Sequence, residues 1–402
     1  MTAGIRISAG YKGFLLFWMV CALAACSALA QGVTGSNSSH LRHVVLRPEA
    51  VPYEMERATW NLNQTNGPFL KEPELSAQCV FRRVLQFGKE TNNAFALIWD
   101  QPRQKLYLDL NRNQDLTDDA AGVFASTNKS FSQRFPRVQL TLKTADGNLP
   151  LTFDLHLSGD SNAQWVQVQV VSHLLWQGRV TTAAQDWQVI VADQFLSGRG
   201  PAAGKYLVLR PWDQRTNRVY TTTSIWGTME FPRRLSWMGQ SYGAERLFET
   251  NGNGAVCKLI LSPQQPPLVN VKLSGDYISY AVLHETNGYM LVLSGSEPSA
   301  KVPQGRYAVD AVWLKKGAAE AYRTERQPIT LDARASTNLI LGGPLTNWVT
   351  LERSGRKLLM NRELRGADGD IYNLTDRDSS RPPEFAVYRG GRKVFSGKFE
   401  FG

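Results

Sequence analysis

Apolar and polar residues alternate with a period of two along much of this chain. In Trp165-Val-Gln-Val-Gln-Val-Val171 the alternation puts one row of side chains on each face of a half-buried strand. Comparable runs occupy 186–192, 205–209, 268–273, 307–313 and 385–388. Between them lie stretches rich in Gly, Asn, Asp and Pro, the residues from which hairpin connections are made. Helical periodicity is scarce, and residues 73–86 are the best helix expectation. Trp, Tyr and Val recur in the runs, and their shapes suit pleated surfaces packed face to face. The pattern predicts a mainly β chain, with two or three β-sandwich or barrel-like domains in tandem and few helices.

The first thirty residues stand apart from this pattern. Arg6 and Lys12 precede an apolar run over 14–25, which is too short to span a bilayer comfortably as a permanent helix. Residues 1–30 therefore read as an export signal and are set aside from fold reasoning. Two processing readings stay open. Ala28-Leu-Ala30 before Gln31 has the small-x-small form of ordinary signal cleavage. Leu23-Ala-Ala-Cys26 resembles a bacterial lipobox, which would make Cys26 a lipidated first residue and the only membrane attachment. Both readings imply an exported protein, in the periplasm, at the outer membrane surface or secreted. Residues 31–44, rich in Ser, Gly and Asn, form a linker. The remainder is longer than one core usually supports. It divides into a β region at 45–145, a β domain at 146–250 and a C-terminal β-sandwich domain at 255–402.

Charge and cysteine content narrow the partners. The formal net charge is +10, and removal of Arg6 and Lys12 with no accompanying acid leaves +8. The bases are scattered, with short pairs such as Arg82-Arg83, Arg233-Arg234 and Lys315-Lys316 and no long basic run. This reads as a solvated basic surface rather than a nucleic-acid site. Only Cys79 and Cys257 lie beyond the signal. In an oxidising compartment they make either one long-range disulfide or two buried thiols.

Chemistry concentrates in Tyr107-Leu-Asp-Leu-Asn-Arg-Asn-Gln-Asp-Leu-Thr-Asp-Asp119. Asp109, Asn111, Asn113 and Asp115 alternate, and Asp118 and Asp119 follow. Oxygen side chains at every second position of a tight loop can turn inward around one hard cation. The competing reading is a solvated turn whose Asp and Asn bond their own backbone. Elsewhere the signatures are thin. The five histidines, His40, His43, His156, His173 and His284, are not spaced as a metal pair, and no nucleophile elbow, zincin helix or P-loop occurs. Asp368-Gly-Asp370 and the polar turn after Ala192 lack a third ligand position. Trp212, Trp226 and Trp237 are candidate sugar-stacking residues, against the reading of core tryptophans.

The 109–119 segment resembles the calcium loop of EF-hand and dockerin proteins. The resemblance implies that Asp109, Asn111 and Asn113 supply side-chain ligands and Asp115 a backbone carbonyl, with Asp118 or Asp119 as the closing acid. Gln114 stands where that family has glycine, and Ala120 where it has a bidentate acid. The strand-like flank at 105–108 argues for a structural Ca2+ rather than a signalling helix-loop-helix. Val302-Pro-Gln-Gly-Arg-Tyr307 resembles a turn of transthyretin-like and carboxypeptidase-regulatory-like sandwiches, which implies fold and no activity. The functional expectation is an exported, non-enzymatic, calcium-stabilised β protein that binds an unknown protein or glycan at the cell surface. The alternative is a carbohydrate-active protein, either a glycan-binding module or a glycoside hydrolase.

Overall fold

A computed structural model describes residues 41–50, 56–62, 69–87, 91–159, 165–182, 184–193, 205–215, 229–251, 254–285, 288–317, 319–323, 327–332, 337–355, 357–374, 384–389 and 391–399. Residues 1–30, where an export signal is expected, with Cys26, most of the expected linker, His40 and Trp226 lie outside them. Among the described residues the chain is mainly β, and its helical elements are three single 3-10 turns. No helix among them is long and apolar enough to cross a membrane.

An antiparallel meander is central. Ser132–Thr144 pairs with Gly147–Gly159, which pairs with Val166–Ser172, which pairs with Glu56–Asn61. Alternation decides its faces: Leu140, Leu142, Leu149, Leu151, Leu155 and Leu157 are buried in the main core, while Gln139, Thr141 and Lys143 face outward. A second ladder runs through Leu174–Thr181, Asp186–Asp193 and Lys205–Pro211, and brings Trp176 and Trp187 into the same core. His43–Ala50 joins the ladders by changing partners midway. Its first half pairs with Gly254–Gln264 and its second half with Leu174–Thr181, the behaviour of a corner strand that turns from one layer of a sandwich to the next.

The boundary expected between residues 145 and 146 falls in the hairpin turn joining Ser132–Thr144 to Gly147–Gly159. Residues from both sides of it pack into one core with Leu46, Cys257 and Leu259. The stretches 45–145 and 146–250 therefore fold together, because their strands are each other's ladder partners. Cys79 and Cys257 form no disulfide; Cys257 is fully buried in this core, between the neighbouring strands of Leu46 and Phe248.

A second core lies in the C-terminal third. Leu268–Ser274, Ser299–Pro303 and Thr337–Ile340 form one sheet. It packs on Ile278–Glu285, Tyr289–Ser294 and Gly305–Lys316 through Val271, Leu283, Leu291, Val309 and Leu339. Val302 and Tyr307 are both 1 % exposed, and the Tyr307 hydroxyl donates to the Pro303 carbonyl at 3.1 Å. The 302–307 turn thus carries the chain from one layer to the other with its aromatic residue pinned in the core.

The four-stranded sheet of Val80–Gln86, Ala94–Asp100, Lys105–Leu108 and Val123–Ala125 holds the candidate loop. Here the helix expected over 73–86 is corrected. Phe81, Val84 and Leu85 have helical spacing, but Val80–Gln86 is a strand paired with Ala94–Asp100. Phe81 and Leu85 enter the main core, and Val80 and Val84 pack on the opposite face. Spacings of four satisfy both periods, so the neighbouring strand decides between them. Ala94–Asp100 is covered on both sides, with Phe95, Leu97 and Trp99 on the main core and Ala96 and Ile98 on a smaller one with Phe69, Tyr107 and Leu116.

Candidate calcium loop and the adjoining cleft

Asp109 follows Lys105–Leu108 directly, and its N–H donates to the Ala96 carbonyl at 3.0 Å, one more rung on the ladder. Its carboxylate is 1 % exposed and gathers the start of the loop. Oδ1 accepts from the backbone N–H of Arg112 at 2.6 Å and of Asn113 at 3.1 Å, and Oδ2 accepts from that of Gln114 at 2.8 Å. This wrapping puts Arg112 and Gln114 in the left-handed region, at φ +67° and +63°. Gln114 thus adopts the conformation for which glycine is the usual choice. The next three oxygens turn in series: Asn111 Oδ1 accepts from Asn113 N–H, Asn113 Oδ1 from Asp115 N–H, and Asp115 Oδ1 from Thr117 N–H, at 2.7–3.0 Å.

The structure distributes the six candidate ligands unequally. Asn111, Asn113 and Asp118 converge, for the two amide Nδ2 groups donate to the Asp118 carboxylate at 3.1 and 2.8 Å. Asp109 lies beneath them through its bond to Asn113 N–H. Asp115 turns its other oxygen outward to Lys71 Nζ at 2.6 Å. That lysine, followed by Thr117, holds the Asp115 carboxyl down at about 2. Asp119 accepts from Leu110 N–H at 3.0 Å and so closes the loop on its own start; burial raises its pKa. Of the two acids that could close the set, Asp118 faces the amides.

Two residues outside the polar pattern anchor the loop. Leu116 is 2 % exposed, packed against Phe69, Ile98 and Tyr107. Lys71 brackets it, its N–H donating to the Gln114 carbonyl at 3.2 Å and its carbonyl accepting from Leu116 N–H at 3.1 Å. A lone leucine inside an otherwise polar run was the available signal for the first. Lys71 carried none, since its position depends on a partner 44 residues away.

The side chains gathered here carry hard oxygens, two carboxylates and two amides whose Nδ2 groups meet Asp118, and such oxygens are the kind that suit calcium. Among the described residues no group of three or more His, Cys, Asp and Glu is gathered for a metal. The histidines sit elsewhere. His173 Nε2 lies 4.0 Å from Asp154, whose carboxylate is engaged by Arg134 and by Arg137 N–H, and burial lowers the pKa of His156 nearby.

Beside the loop opens a cleft of about 970 Å³. Its floor is the outward face of the hairpin, where Gln139, Thr141 and Lys143 stand opposite Thr152, Pro150 and Asn148. One wall is Leu110, Arg112 and Phe124, and the other is Pro48, Leu174 and Ala255. Arg112 links loop to floor. Its guanidinium lies 4.6 Å from the centre of the Phe95 ring and donates to the Thr141 carbonyl. Its Nε is buried with no hydrogen-bond partner among the described residues, and burial lowers its pKa.

Among the expected sugar-stacking tryptophans, Trp237 is corrected. It is fully buried, edge-on to Trp187 at 5.6 Å, because its strand lies between two others. Trp212 is half-buried and lies near the guanidinium groups of Arg179 and Arg215, at 4.8 and 5.2 Å. No family model matches the chain, and no match is found among curated proteins or solved structures.

Proposed function

We propose that this chain is an exported, non-enzymatic binding protein of the cell surface or periplasm, whose 109–119 loop is stiffened by one structural calcium ion. The observation that carries the reading is the convergence of Asn111, Asn113 and Asp118 above the Asp109 carboxylate. Asp109, Asn111, Asn113 and Asp118, with the Asp115 carbonyl, are the residues that would hold the ion. Each amide oxygen has one lone pair on a backbone N–H and a second to offer. With two amides among the ligands, the site has the modest charge of calcium modules that work outside the cytoplasm. Export is supported by Arg6, Lys12 and the apolar run before Ala30.

The role assigned to the ion is mechanical. The loop joins two strands of the small sheet and forms a wall of the cleft, so a cation that fixes it also fixes Arg112. Calcium is expected to raise the melting temperature over that in chelator, and Asp118→Asn to remove the gain while leaving the chelator melt nearly unchanged. Asp109→Ala lowers stability in both conditions, by about 3 kcal/mol, since three part-buried N–H groups lose a charged acceptor. Identical melting curves in calcium and chelator defeat the calcium reading.

The cleft favours the glycan-binding form of this role. Hydroxyl and amide groups on its floor suit a polyhydroxylated ligand, and no Asp or Glu is among the described residues lining it. Glycoside hydrolysis by a carboxylate pair has no support there.

A further inference from the structure

The cleft carries a row of cations. Arg137 and Lys143 stand on the Ser132–Thr144 strand, and Arg112 reaches the same strand between them at the Thr141 carbonyl. Arg137 and Lys143 are exposed, and their side chains meet no acid among the described residues. Six residues of strand at about 3.3 Å each give the row a length of up to about 20 Å. A small anion would meet one of these charges, whereas an extended polyanion can meet all three.

The surroundings select among polyanions. A nucleic-acid strand needs a series of exposed aromatic faces for its bases, but of the two aromatic residues lining the cleft Phe95 is fully buried beneath the Arg112 guanidinium and Phe124 is half-buried against the main core. An acidic peptide adding itself as a strand needs a free edge. That edge is already taken where the cations stand: buried Asn93 accepts from Lys143 N–H and donates to the Lys143 carbonyl, both at 2.8 Å, and Arg112 takes the Thr141 carbonyl. Between the charges the floor offers Gln139, Thr141, Thr152 and Asn148, which donate and accept as sugar hydroxyls require. We infer that the cleft binds an acidic oligosaccharide, its carboxylates or sulfates on Arg112, Arg137 and Lys143 and its hydroxyls on the polar floor. The inference rests on the binding role proposed above and names its ligand class; it does not require the calcium ion.

The test is calorimetric titration of the full mature chain with a hyaluronate oligosaccharide, a chondroitin sulfate oligosaccharide and a neutral cello-oligosaccharide of matched length. The first two separate carboxylate from sulfate recognition, and binding of either is expected, weakening as salt rises. The cello-oligosaccharide should bind at least tenfold more weakly. The double variant Arg137→Glu, Lys143→Glu alters two exposed side chains and should lose at least tenfold in affinity with an unchanged melt. Lys143→Glu alone should show a smaller loss. Absence of binding by both acidic glycans overturns the inference, as does equal binding of the neutral one or an unaffected double variant. Tighter binding of a single-stranded oligonucleotide or a polyglutamate peptide overturns it as well. Titrations in calcium and in chelator keep the two claims apart. A chain that melts alike in both conditions defeats only the ion, while a calcium-stabilised chain that binds no acidic glycan defeats only the ligand.

Discussion

At the scale of single residues, the loop trades backbone strain for side-chain bonds. A left-handed conformation costs a residue with a Cβ about 1–2 kcal/mol, and Arg112 and Gln114 both bear it. The Asp109 carboxylate offsets that cost by accepting from the three N–H groups that the curled backbone presents. Asp115 gives this region its acid sensitivity. Its folded pKa lies below the ordinary aspartate value of 3.8, at about 2, chiefly because Lys71 Nζ donates to it. The sign follows from that depression: the pair's contribution is complete above the ordinary value and is lost as pH falls from about 4 towards 2. An NMR titration should find the Asp115 midpoint near 2, moving up towards 4 in Lys71→Ala. A midpoint indifferent to Lys71 would show that the clamp is not formed in solution.

At the scale of elements, the hairpin that floors the cleft is held at its turn from two sides. Beside the turn, Asn93 bonds Lys143 on the edge away from Gly147–Gly159. In the turn, Asp146 accepts from Arg246 Nε at 2.8 Å, and its carbonyl accepts from Phe248 N–H at 2.8 Å. Gly147 makes this approach feasible. It sits at φ +107°, and a Cβ there would lie 2.6 Å from the Phe248 carbonyl oxygen. The Arg246 side chain is 1 % exposed, under the rings of Phe231 and Phe248. Removing the carboxylate takes a charged acceptor from a buried cation, so Asp146→Ala should cost about 3 kcal/mol in urea unfolding. Arg246→Met, which strands no buried cation, should cost less. Equal losses in the two variants would mean that the contact is only packing.

At the scale of the whole molecule, the N-terminal strand fastens the architecture. His43–Ala50 bonds Gly254–Gln264 with one half and Leu174–Thr181 with the other, and Val44 and Leu46 are buried in the main core. Fragments cut between residues 145 and 146 are therefore expected not to fold separately, since the cut divides a hairpin and opens a shared core. Circular dichroism and thermal melting of the separate halves, alone and mixed, decide this. Two independent cooperative transitions would restore the picture of separate domains.

Local pattern by itself determined the class of the fold and those strands whose alternation is clearest. A period of two is written into neighbouring residues, and the runs at 186–192, 205–209, 268–273 and 307–313 all lie within strands. It also marked the 109–119 loop, whose bonds join residues a few positions apart. Tertiary structure decided what depends on partners distant in sequence. It made 80–86 a strand, sent Trp237 inward, turned Asp115 to Lys71 and selected Asp118 to face the amides. The cleft was beyond any local signal, because Arg112, Arg137 and Lys143 become one row only when a loop folds onto a hairpin whose inner face is already buried. Spacing specifies a surface's periodicity, but only packing specifies which surface remains open.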